Sequence, residues 1–93
     1  NTICPSTTSR QNEAKNIAQE SDLMVVVGSK KSANTTHLAE ILKELTNTIH
    51  IESQNELYLY KDVINNAKNI GVTAGASTPD NIIENVILEL RKY

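Results

Sequence analysis

A three-layer α/β/α domain, with a small four-stranded and mostly parallel sheet between helices, is the fold class this sequence predicts. Three observations carry it. Short β-type segments alternate with helical segments along the chain, the order that produces parallel strands joined by right-handed crossovers. One segment, Leu23-Met24-Val25-Val26-Val27, is apolar at every position, as a strand covered on both faces must be. The length of 93 residues and the 39% apolar content suit one core, so residues 1–93 are expected to form a single domain.

The elements follow in order. Asn1-Thr2-Ile3-Cys4 reads as the tail of a strand whose earlier residues are missing, and with no initiator Met the chain is expected to be an excised fragment. Thr8-Ser9-Arg10-Gln11 has the form of a capping box, opening a helix to about Glu20 that buries Ala14, Ile17 and Ala18. The apolar run Leu23 to Val27 is the central strand and stops at Gly28. Asn34 is expected to cap a second helix with the stripe Leu38, Ile41, Leu42 and Leu45. Ile49 and Ile51 alternate with His50 and Glu52, a strand near the sheet edge. Leu57 to about Ala67 reads as a third helix carrying Leu59, Tyr60, Val63 and Ile64. Ile70 to Ala74 is the fourth strand. The last helix is expected to have Thr78 as cap and Pro79 at its first position, with Ile82, Ile83, Val86, Ile87 and Leu90 on its apolar face.

Composition narrows the function classes. A formal charge of −2 and a pI near 5.6 argue against a nucleic-acid surface, which needs a clustered basic face. No apolar run approaches the ~18 residues of a membrane span, and no signal-peptide pattern opens the chain, so a cytoplasmic location is expected. The single cysteine excludes an intrachain disulfide.

Ligands of such sheets gather beyond the carboxyl ends of the strands, where loops meet the free N–H groups of helix N-termini. Three strand ends carry unusual residues: Cys4; Gly28-Ser29-Lys30-Lys31-Ser32-Ala33-Asn34; and Thr73-Ala74-Gly75-Ala76-Ser77-Thr78-Pro79-Asp80. Small residues let a ligand approach the backbone, Lys30 and Lys31 offer positive charge at the mouth of the second helix, and Ser32, Asn34 and Ser77 can donate to phosphate oxygens beside two helix dipoles. Plain capping and turn chemistry favours the same residue types. Cys4 is open to two readings, a metal ligand at a strand end or a thiol filling a core. No P-loop and no G-x-G-x-x-G occurs. His37 and His50 have no carboxylate or Cys at metal-ligand spacing and read as ordinary surface or satisfied residues.

Asn1-Thr2-Ile3-Cys4 with Thr8 and Arg10-Gln11, Val26 to Lys30 with Ser32 and Asn34-Thr35, and Val72 to Asp80 together resemble the hydroxymethylbutenyl diphosphate reductase family, also called IspH, LytB or penicillin-tolerance proteins. The resemblance runs in order across the whole chain and implies the third of three α/β domains around a central [4Fe–4S] cluster. It implies that Cys4 is one of three cluster cysteines, and that the diphosphate pocket falls on Ser32, Ala33, Asn34 and Ser77. Ala33 departs from the family's Ser-Ser-Asn form, removing one hydroxyl while its backbone N–H remains. The implied reaction is reductive removal of an allylic hydroxyl, giving isopentenyl and dimethylallyl diphosphates, with electrons from a flavodoxin- or ferredoxin-type carrier. The proton-delivering glutamate, the pocket histidines and the other two cysteines belong to the family's first and second domains, so this chain alone is expected to be inactive. A stand-alone phosphate-binding or interaction module of the same fold is the competing reading.

Overall fold

In the computed structural model, residues 2–5, 11–75 and 78–93 are described, without the side chains of Thr2, Cys4, Pro5, Gln11 and Asn12. Four strands form one sheet: β1 (Thr2–Pro5), β2 (Leu23–Val27), β3 (Asn47–Ile51) and β4 (Asn69–Ala74). Their spatial order is β1-β4-β2-β3 and all three pairings are parallel. The helices are α1 (Gln11–Gln19), α2 (Ala33–Lys43), α3 (Lys61–Asn66) and α4 (Asp80–Leu90), with a 3-10 helix at Gln54–Tyr60 ahead of α3.

Alternation along the central strands separates two cores. Met24 and Val26 face Ala14 and Ala18 of α1 and Leu38, Ala39 and Leu42 of α2. Leu23, Val25 and Val27, with Ile70 and Val72 of β4, face Leu57, Ile64, Val86 and Leu90 on the other side. Every side chain of β2 is fully buried, as its unbroken apolar run requires. The sheet therefore has helices on both faces, and β3 lies at its edge, as expected.

Several local expectations are corrected. The buried stripe of α2 is Thr35, Leu38, Ala39 and Leu42. It is rotated from the expected one because the small side chains of Thr35 and Ala39 let the helix sit close to the sheet, while Leu45 falls beyond the helix and is 45% exposed. The helix expected from Leu57 begins as a 3-10 segment. With about three residues per turn, Leu57 and Tyr60 share the inward face, and Tyr58 and Leu59 turn outward at 65% and 63% exposure. The capping box at Thr8 lies outside the described residues. Among the described residues, no helix is long and apolar enough to cross a membrane.

Candidate anion-binding crevice at the carboxyl edge

β2 and β4 are neighbours whose last residues pair, Val27 with Ala74. From there the chain leaves in opposite directions, β2 into α2 over one face and β4 into α4 over the other. Diverging exits from adjacent parallel strands open a crevice at the sheet edge.

Its floor is built from Gly28, Gly75, Thr35 and Thr78. The Gly28 N–H donates to Ile51 O (2.9 Å) and the Gly75 N–H to Val27 O (3.0 Å), extending the parallel ladder one residue past each strand. Thr35 is 1% exposed and is wedged between the two glycines. A Cβ on Gly28, whose φ is +157°, would stand 2.8 Å from Thr35 Cγ2, and one on Gly75 would stand 3.2 Å from Thr35 Cβ and press on its hydroxyl. Only glycine lets the first turn of α2 pack this tightly against both strand ends.

The cap of α2 is Ser32, not Asn34. Its hydroxyl accepts from the Thr35 N–H (3.4 Å) and the Thr35 Oγ1 hydroxyl (3.2 Å), and its carbonyl accepts the first helical bond from the Thr36 N–H (3.0 Å). Asn34 fails as a cap because it already sits at the second helical position, after Ala33. Both residues are exposed. Their N–H groups, the first two of the helix, have no carbonyl one turn back to bond, which leaves a pair of donors at an exposed helix start.

At α4 the boundary also shifts by one. Pro79 is the cap, with an extended ψ of 145°, and its carbonyl accepts from the N–H groups of Ile82 (3.2 Å) and Ile83 (3.4 Å). Thr78 does not cap. Its hydroxyl donates instead across the crevice to Val27 O (3.0 Å), tying the start of α4 to the end of β2. Ser77 and Ala76, expected to line this side, lie outside the described residues.

Lys30, expected to lend positive charge to the crevice, is engaged elsewhere. Its Nζ is 2.9 Å from Glu56 Oε1. That hydrogen bond and the attached charge raise the Lys30 pKa. Partial burial pushes the Glu56 carboxyl up, but hydrogen bonds from Lys30 and the Glu52 backbone outweigh it and hold Glu56 below the ordinary carboxylate range. Thr35, Glu52, Glu56 and His50 are residues that sequence reasoning left without a role here. Sequence alternation placed His50 on β3, but nothing local showed that its ring reaches Gly28 O, 3.0 Å from Nε2.

Cys4 is the penultimate residue of β1, and β1 runs parallel to β4, so its strand ends on the same side of the sheet as the two loops. The strand is staggered, however: Cys4 pairs with Gly71, three residues before Ala74, roughly 10 Å along the strand. Thr73, two residues beyond Gly71, is 1% exposed, and its Oγ1 is a buried polar atom with no hydrogen-bond partner among the described residues. Among the described residues no group of three His, Cys, Asp or Glu could hold a metal. The single cysteine of the sequence is at most one ligand of a metal site completed from elsewhere. A separate hollow of about 260 Å³ lies at the opposite edge, lined by Asp22, Asn47, Val63, Asn66 and Ala67. There the Asp22 carboxylate is already bonded to the N–H groups of Lys68 and Asn69 at 3.0 and 3.2 Å.

The chain is 52% identical over 91 residues to a 4-hydroxy-3-methylbut-2-enyl diphosphate reductase of Clostridium tetani, covering 97% of this chain and 14% of that protein. It is 47% identical over 89 residues to the enzyme of the same name from Alkaliphilus oremlandii, covering 94% and 31% respectively. A solved structure of (E)-4-hydroxy-3-methyl-but-2-enyl diphosphate reductase, the terminal enzyme of the non-mevalonate pathway, superposes with a TM-score of 0.84 at 44% identity, over 90% of this chain and 30% of that one. The Plasmodium falciparum reductase gives a TM-score of 0.78 at 26% identity. This chain thus spans a third or less of the length of these relatives. The family model described as LytB protein matches residues 1–91, nearly the whole sequence, and with it the staggered parallel sheet, the crevice and the lone strand-end cysteine find one common setting: the chain belongs to the LytB protein family.

Proposed function

We propose that this chain is the diphosphate-holding and cluster-contacting third domain of an iron–sulfur reductase that removes the allylic hydroxyl of 4-hydroxy-3-methylbut-2-enyl diphosphate. The observation that carries the reading is the crevice itself, two N–H groups at Ala33 and Asn34 over a glycine-lined floor, in a chain about half identical to reductases of that name.

The diphosphate would be held by the Ala33 and Asn34 N–H groups, the Asn34 side chain, the Ser32 hydroxyl and Ser77. Oriented donors at a helix N-terminus bind anions without needing a full positive charge nearby. That suits this site, because the Lys30 ammonium is engaged by the Glu56 carboxylate. Ser32 can act while capping, since its oxygen accepts the two bonds from Thr35 and keeps its own proton for a phosphate oxygen. Ala33 contributes through its backbone alone.

Cys4 would be the one thiolate this chain gives to a [4Fe–4S] cluster. When bound, the cluster supplies the two electrons which, with two protons, convert the C–OH group to C–H and water. The remaining ligands, the proton-delivering groups and the docking site for a flavodoxin- or ferredoxin-type carrier would come from the first and second domains. The buried Thr73 hydroxyl, without a partner among the described residues, would be a donor available to a group at this edge.

The test uses the full-length protein carrying this domain, purified without air. Cys4→Ala should abolish the roughly 400 nm absorption of iron–thiolate charge transfer. Asn34→Ala or Ser77→Ala should weaken pyrophosphate inhibition by about 1–3 kcal/mol. Retained absorption would refute the ligand role of Cys4, and an unchanged pyrophosphate inhibition constant would refute the diphosphate-binding role of Asn34 and Ser77.

A further inference from the structure

Three contacts from one arm of the fold end on two residues of the α2-capping loop, Gly28 and Lys30. The arm is β3 with the following 3-10 helix. His50 Nε2 lies 3.0 Å from Gly28 O, the Glu52 carboxylate accepts the Lys30 N–H at 3.0 Å, and the Glu56 carboxylate accepts from Lys30 Nζ at 2.9 Å. The arm also braces itself, for Glu56 Oε2 accepts the Glu52 N–H at 2.6 Å. Within the loop, Ser29 O accepts from the Ser32 N–H (3.1 Å) and Ser29 Oγ from the Lys31 N–H (3.2 Å).

We propose that this arm is a three-point clamp that sets the loop at the mouth of the crevice, with Glu52 and Glu56 as positioning residues and Lys30 as a tie to the arm and not a phosphate ligand. The proposal rests on the reading of that crevice as the diphosphate site. The physical argument is geometric. Exposed ion pairs contribute little to stability, so a pair at the surface is a weak reason to place two acids beside an anion site, where their charge opposes the ligand. What they accomplish is orientation: the Lys30 N–H and ammonium are both drawn toward the arm, Gly28 is held on its other side by His50, and Ser32 follows two residues later at the start of α2. Fixing those atoms before the ligand arrives removes the ordering cost that a free loop of Ser and Lys residues would carry into binding. The ionisation states fit, since Glu56 is held as the carboxylate and Lys30 as the ammonium throughout the neutral range.

The two possible roles of Lys30 predict opposite results in the full-length reductase. If Lys30 is a tie, Glu56→Gln removes the anchor and should raise the inhibition constant of inorganic pyrophosphate about 3- to 10-fold, leaving kcat within about twofold. If Lys30 binds phosphate directly, freeing it by Glu56→Gln should leave that constant unchanged or lower it, which would overturn the clamp. Asn34→Ala is the reference: no effect of Asn34→Ala on pyrophosphate means that the crevice reading itself fails, and the clamp with it. An effect of Asn34→Ala with none of Glu56→Gln overturns the clamp alone.

Discussion

Replacing Thr73 by Val should stabilise the isolated chain, the reverse of what most substitutions in a packed sheet do. Thr73 lies near the end of β4, 1% exposed, with Val26 as its register partner on β2 and its Oγ1 unbonded among the described residues. A buried hydroxyl without a partner loses its water and gains nothing in return, a cost of about 1–3 kcal/mol. Valine keeps the branched shape and the strand preference while replacing the hydroxyl with a methyl group. The expected gain is about 1–2 kcal/mol. For a chain of 93 residues, with a urea dependence of ~1 kcal/mol per molar, the unfolding midpoint should rise by about 1–2 M at an unchanged slope. Circular dichroism during urea titration of the 93-residue chain reads this directly. A midpoint that falls would refute the reasoning, because only a hydroxyl with a partner is missed when removed. The full-length protein supplies the complementary sign. If the Thr73 hydroxyl donates to a group brought by the other domains, Thr73→Val should cost about 1 kcal/mol there.

Gly75→Ala should destabilise the chain by about 1–3 kcal/mol, since the new methyl has nowhere to go but into the buried Thr35 side chain; urea unfolding of the chain measures it. Ser32→Ala should lower stability by about 1 kcal/mol through loss of the cap, whereas Asn34→Ala, already inside the helix and exposed, should leave the unfolding midpoint nearly unchanged while weakening pyrophosphate binding. The Lys30–Glu56 pair sets a pH window of stability. Glu56 has a lowered pKa when folded, so its contribution is present above the ordinary carboxylate value and is lost as pH falls through the lowered one. Lys30 has a raised pKa, so its contribution is present below the ordinary lysine value and is lost as pH rises through the raised one. Urea midpoints of wild type and Glu56→Gln should therefore converge at low pH and separate on the neutral plateau, and parallel curves down to pH 3 would contradict the assignment.

The layer order was legible because it follows from patterns of type, and types are what a sequence states. An unbroken Leu23 to Val27 run has no stable place except between two covered faces, and it is the fully buried strand. Ile49 and Ile51 alternate with wetter neighbours, and β3 is an edge. Positions within the crevice were less legible. Ser32 and Asn34 are both good caps by type, and the choice fell to Ser32 because Thr35 must be buried against Gly28 and Gly75, which sets where the helix begins. Thr78 was read as a cap from its place before Pro79. The structure turns its hydroxyl to Val27 O, a contact between residues 51 apart in sequence that no local pattern encodes. Lys30 was read as free charge for the same reason, since Glu52 and Glu56 meet it only once β3 has paired with β2.

The stagger of β1 bears on how such a domain divides its work. The crevice floor lies past the Val27–Ala74 pair, while Cys4 enters at the level of Gly71. Along the strands these points are separated by roughly 10 Å, and β4 is the element that touches both. An allylic diphosphate whose diphosphate group is gripped at the α2 and α4 end would reach from there toward the thiolate with its carbon chain. On the proposed reading, the distance between anchor and metal ligand would be set by strand register, because a one-residue slip of β4 would turn Val72 out of its core and Thr73 into it. Adjustable contacts sit elsewhere, in the exposed clamp formed by Glu52, Glu56 and Lys30. A rigid spacing with a tunable grip is what an enzyme needs when one end of the substrate carries all the charge and the other undergoes the reaction.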